Sequence, residues 1–252
     1  MNQTIYPRNV IGVRSPATIQ PRFSGVLLDW RGTLVVAPTY TWLITRALRD
    51  LGRPHDSGAV DEVRQRLAAV DTTEVESSAV DVDAGLHRQA YSAWFRAAGL
   101  DLELSDALYA AESDVAANPF AEDVGALLAE MHDAGVRIGV LSDIHVDLRP
   151  AFTAQRVQTA SGEQSWVDLV DVWVLSFEVG AAKPDPVIFQ EALALLALPA
   201  CEVLMVGDRA THDGAAVDLG MTTPLVPPLT SPSERRLHRV LDLVLPGHDL
   251  EI

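Results

Sequence analysis

The sequence has a single cysteine and no long apolar run. Cys201 cannot form an internal disulfide, and because it begins an apolar segment we predict that it opens a buried strand. No stretch approaches the ~20 apolar residues of a membrane-spanning helix. The N-terminal segment also lacks the ~7–15-residue apolar core of a signal peptide. We therefore expect a cytoplasmic protein without a membrane partner.

Basic residues are scarce compared with acidic ones. The chain has 19 Lys and Arg against 35 Asp and Glu, which gives a formal net charge of -16. Such a surface repels the phosphates of nucleic acids and anionic lipids, so neither is expected as a partner. Internal repeats and low-complexity segments are also missing. With 48% hydrophobic residues over 252 positions, the chain can bury a full core, and its length favours one domain with an insertion.

Short apolar segments alternate with segments of helical periodicity. The first apolar run ends at Asp29, and three later ones occupy residues 136–143, 170–177 and 201–208. Helical spacing of apolar residues marks 120–135 and 186–198. This alternation predicts an α/β fold in which a parallel sheet is covered on both faces.

The middle of the chain differs from the rest, because residues 39–117 show helical periodicity and no strand pattern. We predict an inserted all-helical domain there, with a core at 22–38 and 118–252 and an extended N-terminal arm at 1–21. Because the insertion leaves the sheet just after the first strand, we expect it to form a lid over the sheet edge. Its aromatics Trp94 and Phe95 are expected to fill its own core.

The C-terminal segment 233–245, "SERRLHRVLDLVL", is interpreted as a short helix followed by a final strand. The arginines of this segment are expected to be solvated.

Polar residues follow the predicted strands, at the sheet edge where ligands of parallel α/β sheets bind. Asp29, Ser142 and Asp208 end strands, Lys183 lies in the rigid turn "AAKPDP", and Asp213 follows in "VGDRATHD". An isolated pair such as Asp208 and Asp213 usually caps a helix. The combination of all these segments instead favours a metal site.

In their order and spacing, "GVLLDWRGT", "VLSD", "AAKPDP" and "VGDRATHD" resemble the four motifs of the haloacid dehalogenase-like hydrolase superfamily, over residues 23 to about 226. The resemblance implies a Rossmann-like core with a helical cap inserted after the first motif. It also implies that Mg²⁺ is the cofactor and that the substrate is a small phosphorylated molecule. By this resemblance the catalytic residues are Asp29, which is the nucleophile, Arg31, Ser142 and Lys183. The residues that bind the substrate are Gly32, Thr33, Ser142, Asp143 and Lys183. The metal ligands are Asp29, the backbone carbonyl of Arg31, Asp208 and Asp213.

Elementary electrostatics supports these roles. A carboxylate that attacks a phosphate meets a repulsion of roughly 4 kcal/mol per charge pair at 4 Å and an effective dielectric constant of 20. Mg²⁺ prefers carboxylate, phosphate and water oxygens and offsets this repulsion. Lys183 adds a compact positive charge, and Ser142 can donate a hydrogen bond. Without a cation, three clustered acids would raise one another's pKa values.

Arg31 departs from the phosphatases of the superfamily, which usually have a second aspartate two residues after the nucleophile. A guanidinium keeps its proton, since its pKa lies above ~12, and it cannot act as an acid or base near neutral pH. General acid–base catalysis contributes about 10²–10⁴-fold. The loss is therefore expected to be most severe for poor leaving groups.

Three explanations of Arg31 remain open. The enzyme cleaves good leaving groups, or His145 or His212 carries the proton instead. Alternatively, Arg31 binds a carboxylate or phosphate of the substrate. This would indicate either a substrate with an extra anionic group or another reaction such as dehalogenation, although haloacid dehalogenases lack the metal-binding aspartates. The third explanation is a catalytically silent protein that binds a phosphorylated ligand or a protein. We favour the first, a Mg²⁺-dependent phosphatase that acts through an aspartyl-phosphate at Asp29.

Overall fold

The computed structural model of the chain describes residues 20–247, so nearly all of the predicted N-terminal arm lies outside the described residues. The strands of this structure are β1 Gly25–Leu28, β2 Arg137–Ser142, β3 Arg156–Thr159, β4 Gly162–Ser165, β5 Val172–Leu175 and β6 Val203–Val206. Four of them form a central parallel sheet in the order β5-β2-β1-β6, and β3 and β4 form a separate antiparallel hairpin. The sequence-based prediction of an α/β fold with a parallel sheet is confirmed, whereas the hairpin was not predicted.

Ten α-helices surround or follow the strands in the described part of the chain, and none of them is long and apolar enough to cross a membrane. Four 3₁₀ helices, at Ser78–Val80, Val115–Ala117, Ala200–Glu202 and Asp213–Leu219, supplement them. The α-helices are α1 Tyr40–Asp50, α2 Ser57–Ala68, α3 Ala84–Ala97, α4 Leu102–Glu112, α5 Val124–Asp133, α6 Arg149–Thr153, α7 Trp166–Leu169, α8 Ser176–Val179, α9 Pro186–Leu196 and α10 His238–Val244.

Both faces of the parallel sheet are buried, which explains why its strands are apolar at successive positions. Val26 and Leu28 of β1 face a hydrophobic cluster formed with α5 and α10. Leu27, which lies between them, faces the opposite cluster, formed with α9. Leu28 is in register with Val140 of β2 and Val206 of β6. The polar residues that follow these three strands therefore come together at one edge.

Residues 39–117 contain α1 to α4 and two 3₁₀ helices, with no strand, as their periodicity predicts. The side chains of Thr39, Asp56, Asp83 and Asp101 accept hydrogen bonds from backbone N–H groups in the first turns of these helices, and so fix where each one begins. The helices share a hydrophobic cluster of their own that includes the buried rings of Trp94 and Phe95. The prediction that these aromatics fill the core of the insertion is confirmed.

The predicted placement of Cys201 is wrong. Cys201 is exposed and lies in the 3₁₀ turn Ala200–Glu202, before β6. Strand β6 begins only at Val203, opposite Gly25, so Cys201 lies in the turn that precedes the apolar strand and not in the strand itself.

The predicted final strand is also wrong, because the described C-terminal residues contain only α10 and a turn after it. Thr222 and Leu225 form bridges to Leu204 and Gly207, so the sheet edge beyond β6 is already occupied. The apolar residues of the C-terminal segment recur at helical spacing instead and are buried against the sheet: Val240, Leu241 and Val244.

Candidate active site

The chain after β1 is anchored by Trp30. This side chain is fully buried and packs against Phe120 and Phe152, with ring centroids 5.2 and 5.6 Å apart. Asp29 and Arg31 flank this anchor and make entirely different contacts. Asp29 is buried at the sheet edge, where its backbone N–H still bonds the β6 strand, whereas Arg31 reaches the helical insertion.

Lys183 joins two of the acids at this edge. Its Nζ lies 2.5 Å from Oδ1 of Asp29 and 2.5 Å from Oδ1 of Asp213. Its backbone N–H donates to Oδ1 of Asp143 at 2.8 Å. Lys183 is fully buried and is the only lysine in the sequence. Lys183 is therefore held both at its backbone and at its ammonium group, beside the buried carboxylates of Asp29 and Asp213.

Three carboxylates converge next to this lysine. Asp29, Asp208 and Asp213 each offer an oxygen, and the three oxygens lie within 4.8 Å of one another. Two glycines make this approach feasible. Gly32 has φ 82°, and a Cβ there would collide with the carboxylate of Asp208; a Cβ on Gly207 would collide with that of Asp213.

These acids fit a hard divalent cation. Oδ1 of Asp208 is buried without a hydrogen-bond partner among the described residues, and a buried carboxylate oxygen in this state is costly. A cation bound by the three carboxylates would satisfy that oxygen. Asp29, Asp208 and Asp213 are the side chains that would hold it.

Burial and mutual repulsion shift the pKa values of these groups. Burial, reinforced by the charge of Asp213 and opposed by Lys183, raises the pKa of Asp29 to about 6. Burial and Asp213 also raise the pKa of Asp208. The pKa of Asp213 is lowered despite its burial, because Lys183 and the backbone N–H of Arg209 stabilise its charge. Burial alone would lower the pKa of Lys183, but the surrounding carboxylates outweigh it and raise this pKa. A divalent cation would favour the ionised form of Asp29 that a nucleophile requires.

Side chains that could contact a substrate lie around Asp29. Ser142 is buried at the end of β2, and within residues 20–247 its hydroxyl has no hydrogen-bond partner, so it is free to donate. Thr33 Oγ1 donates to Oδ2 of Asp29 at 3.3 Å. Both oxygens of Asp143 are engaged inside the protein, since Oδ2 accepts from Arg209 Nη2 at 3.1 Å. Asp143 therefore positions Lys183.

The guanidinium of Arg31 forms hydrogen bonds and an ion pair with residues at the end of the insertion and just after it. Nη1 lies 2.5 Å from Oε1 of Glu112, and Nη2 donates to the backbone oxygen of Glu112 at 2.8 Å. Nε donates to Oδ1 of Asn118 at 3.2 Å. The side chain of Glu112 is only 8% exposed. The pair connects the loop after β1 to the last residue of α4, where a helix favours positive charge. Sequence reasoning missed Glu112, because 81 positions separate it from Arg31 and no motif relates them.

The two histidines considered as proton carriers are both neutral near pH 7. His145 is buried, its Nε2 lies 2.9 Å from Ser113 Oγ, and burial, together with His87 and Arg31, lowers its pKa to about 3. His212 is partly exposed and its Nδ1 lies 2.9 Å from Thr211 Oγ1. Its pKa is also lowered, by burial and then by Arg209.

Arg236 stabilises the loop after β1 through hydrogen bonds to its backbone oxygens. Its guanidinium donates to the backbone oxygens of Gly32 at 3.2 Å and Thr33 at 2.6 Å, and also to that of Pro227. The expectation that the arginines of 233–245 are solvated is therefore wrong for Arg236, which is buried, while its neighbour Arg235 is exposed. No local pattern in "ERR" distinguishes the two.

Comparison with known proteins identifies the family. A model described as haloacid dehalogenase-like hydrolase matches residues 23–220, which is most of the chain. The chain belongs to the haloacid dehalogenase-like hydrolases. This membership agrees with the resemblance noted in the sequence and makes the protein a hydrolase. No curated protein sequence matches the chain significantly.

Solved structures of haloacid dehalogenase-like proteins share the fold. One dehalogenase is 20% identical with a TM-score of 0.58, covering 89% of this chain and 98% of its own. L-2-haloacid dehalogenase from Xanthobacter autotrophicus is 20% identical with a TM-score of 0.57, covering 89% and 85%. A HAD phosphatase from Thermococcus onnurineus is 21% identical with a TM-score of 0.52, covering 81% and 86%. Because both dehalogenases and a phosphatase are similar, the fold leaves the substrate class open.

Proposed function

We propose that this hydrolase is a Mg²⁺-dependent phosphatase of a small phosphorylated metabolite. The observation that carries the proposal is the convergence of Asp29, Asp208 and Asp213 beside the buried ammonium of Lys183. Oxygen donors of this kind suit Mg²⁺ together with the oxygens of a phosphate group. When bound, Mg²⁺ supplies the positive charge that offsets the repulsion between nucleophile and substrate.

The residues of the chain then divide the reaction between them. A carboxylate oxygen of Asp29 forms a bond to phosphorus while the bond to the leaving-group oxygen breaks, and the leaving group departs with the electron pair. Lys183 and the free hydroxyl of Ser142 donate to the phosphoryl oxygens. Water then attacks the phosphorus of the aspartyl-phosphate, and the bond between phosphorus and the Asp29 oxygen breaks. The Asp29 carboxylate is restored, and the protons of the water leave with the released phosphate and the solvent.

Position 31 selects the leaving group in this proposal. The guanidinium of Arg31 is paired with Glu112 and carries no exchangeable proton near neutral pH. His145 does not replace it as an acid, because its low pKa leaves the imidazole neutral. We therefore infer that the substrate has a leaving group that needs no protonation, such as the carboxylate of an acyl phosphate or an aryl oxide.

Dehalogenation is the main alternative within the family. A 2-haloacid carries its own carboxylate, which the acids Asp208 and Asp213 would repel from Asp29. The guanidinium of Arg31, which could otherwise bind that carboxylate, is engaged with Glu112 and Asn118. Both features favour the phosphatase.

The helical insertion is proposed to act as a cap over this site. Glu112 of α4 bonds Arg31, Ser113 bonds His145, and the backbone oxygen of Asp81 accepts from Ser176 Oγ at 2.7 Å. These contacts connect residues 39–117 to segments that follow β1, β2 and β5. The insertion therefore closes on the edge of the sheet that carries Asp29.

Steady-state assays test the proposal. With Mg²⁺, we expect turnover of aryl and acyl phosphates, and rates about 10²–10⁴-fold lower for sugar phosphates, because no side chain protonates the alkoxide. A chelator should stop turnover, and Mg²⁺ should restore it. Asp29→Asn is the matched control, since it removes the nucleophile while keeping the shape of the side chain, and it should be inactive while folded.

Other outcomes would point elsewhere. Halide release from 2-haloacids in the presence of a chelator would replace the phosphatase with a dehalogenase. If no phosphate ester is hydrolysed while a phosphorylated metabolite raises the melting temperature, the protein is a binding protein instead.

A further inference from the structure

A second cluster of metal-binding side chains lies where the helical insertion meets the sheet. Asp81, His87 and His145 each offer a ligand atom, and these atoms lie within 4.8 Å of one another. Asp81 and His87 belong to the insertion, whereas His145 follows the end of β2. The cluster shares no residue with the three aspartates beside Lys183.

Each histidine is held by a hydroxyl group through one ring nitrogen. Nδ1 of His87 lies 3.2 Å from the hydroxyl of Tyr109, and Nε2 of His145 lies 2.9 Å from Ser113 Oγ. The other nitrogen remains available: Nε2 of His87 is 3.8 Å from Oδ1 of Asp81, and Nδ1 of His145 has no hydrogen-bond partner in the described part of the chain. Metal-bound histidines show the same division, with one nitrogen on the metal and the other on an orienting partner.

The protonation states agree with this arrangement. Burial lowers the pKa of His87 to about 4 and, with the help of His87 and Arg31, that of His145 to about 3. Both imidazoles are therefore neutral near pH 7, which is the form that binds a metal. The backbone oxygen of Asp81 is fixed by Ser176, so its side chain stays next to His87.

We propose that Asp81, His87 and His145 form a second metal site, for a borderline transition-metal dication such as Zn²⁺. Two imidazoles and one carboxylate suit Zn²⁺ and disfavour Mg²⁺, which prefers oxygen donors. Three protein ligands leave a coordination position open. Because the ligands come from the insertion and from the sheet, the ion would fasten one to the other.

Loading of this site requires a small rearrangement. The rings of His87 and His145 are stacked, with centroids 3.4 Å apart and planes inclined by 11°. Parallel rings do not aim two nitrogens at one point, so the imidazole of His87 must rotate about its Cβ–Cγ bond and lengthen its contact with Tyr109, while His145 keeps its shorter bond to Ser113. The torsion itself has a broad energy profile, so the rotation is opposed mainly by the contacts of His87 with Tyr109 and Tyr91. Metal binding should therefore separate the stacked rings.

Titration with Co²⁺ in the presence of excess Mg²⁺ tests the site in the full chain. After chelator treatment, the protein is saturated with Mg²⁺ so that the three-aspartate site is filled. We expect a single equivalent of Co²⁺ to bind and to give the visible absorption of nitrogen-ligated Co²⁺. His87→Ala and His145→Ala should lose this absorption, and Ser113→Ala should weaken binding about 10–100-fold through the lost orienting bond.

Two controls make the result specific. His55→Ala removes an exposed histidine of the same insertion, and Asp208→Asn disrupts the other candidate site; both variants should retain the absorption. Persistence of the absorption in His87→Ala and His145→Ala, its loss in Asp208→Asn, or the absence of Co²⁺ binding by the wild type would overturn the proposal. If the histidine variants fail to fold, X-ray absorption of the Zn²⁺-loaded wild type decides, because two imidazoles are expected and a shell of oxygens alone would refute the site.

Discussion

Replacement of Lys183 with methionine is expected to abolish turnover and, without divalent cations, to lower the free energy of unfolding by about 3–5 kcal/mol. The lysine is fully buried, and its ammonium lies 2.5 Å from both Asp29 and Asp213. Methionine fills a similar volume but leaves these two buried carboxylates facing each other without a compensating charge. Protonation of Asp29 will relieve part of this loss of stability, because burial already raises the pKa of Asp29.

Mg²⁺ should separate the structural effect of Lys183 from the catalytic one. A divalent cation bound by the aspartates supplies the missing positive charge, so urea denaturation with Mg²⁺ should show most of the stability restored. Turnover should stay abolished, because the donor to the transferred phosphoryl group is still absent. Recovery of both stability and turnover with Mg²⁺ would mean that the lysine only balances charge.

Arg209→Met is the matched control for this experiment. It removes a positive charge from the same edge of the sheet, but the Arg209 side chain is 46% exposed and its ion pair is with Asp143. The partner carboxylate of Asp143 is only 3% exposed, but its Oδ1 keeps the backbone N–H of Lys183, so the loss should stay below the about 3–5 kcal/mol of a buried charge left wholly unpaired. The control should therefore change stability by less than Lys183→Met, and a comparable loss in both variants would contradict the special role of the buried contacts.

Breaking the pair between Arg31 and Glu112 is expected to cost about 3 kcal/mol of stability, the low end for a buried pair, because the Arg31 side chain is 24% exposed. Arg31→Ala leaves the carboxylate of Glu112 buried without its partner, whereas the double variant Arg31→Ala/Glu112→Ala removes both charges. The double variant should therefore be more stable than the sum of the single losses predicts. Thermal and urea unfolding of the four proteins measures this coupling.

Arg46→Ala provides a comparison on the same insertion. Arg46 pairs with Asp114 at 2.6 Å, but the two side chains are 23% and 33% exposed. Its removal should cost less than that of Arg31. Equal losses at the two positions would show that burial of Glu112 does not determine the effect.

The contact between Arg31 and Glu112 also determines which variant can test acid–base catalysis at position 31. Arg31→Asp alone would place a second carboxylate next to buried Glu112, so the informative variant is Arg31→Asp/Glu112→Gln. We expect this variant to accelerate sugar phosphates relative to aryl phosphates, by up to about 10²–10⁴-fold, because an aspartate can protonate an alkoxide. A change by the same factor for every leaving group, measured as kcat/KM, would contradict the role assigned to position 31.

Local sequence patterns were sufficient to predict the strands of the parallel sheet and the helices of the insertion. The apolar runs before Asp29, Ser142 and Asp208 predict strands, and parallel strands deliver the residues that follow them to one edge of the sheet. Helical periodicity likewise predicts the helices of residues 39–117. Such patterns succeed because they depend on hydrogen bonding and burial over a few neighbouring residues.

Contacts between segments that are distant in the chain leave no local sequence pattern from which they could be predicted. Arg236 reaches Thr33 across 203 positions, and the exposure of Cys201 depends on where β1 begins to pair with β6. Neither follows from the residues adjacent in the chain, so the predictions made there from local composition alone were wrong.

The sequence by itself determined the parallel sheet, the family and the acidic, lysine-containing edge, because these depend on residue type and spacing along the chain. Only the tertiary structure decided that Arg31 pairs with Glu112 instead of facing a ligand, and that His87 and His145 stack on each other. Both outcomes depend on how the helical insertion lies against the sheet. That arrangement is set by packing and by burial of charge, which no spacing in the sequence encodes.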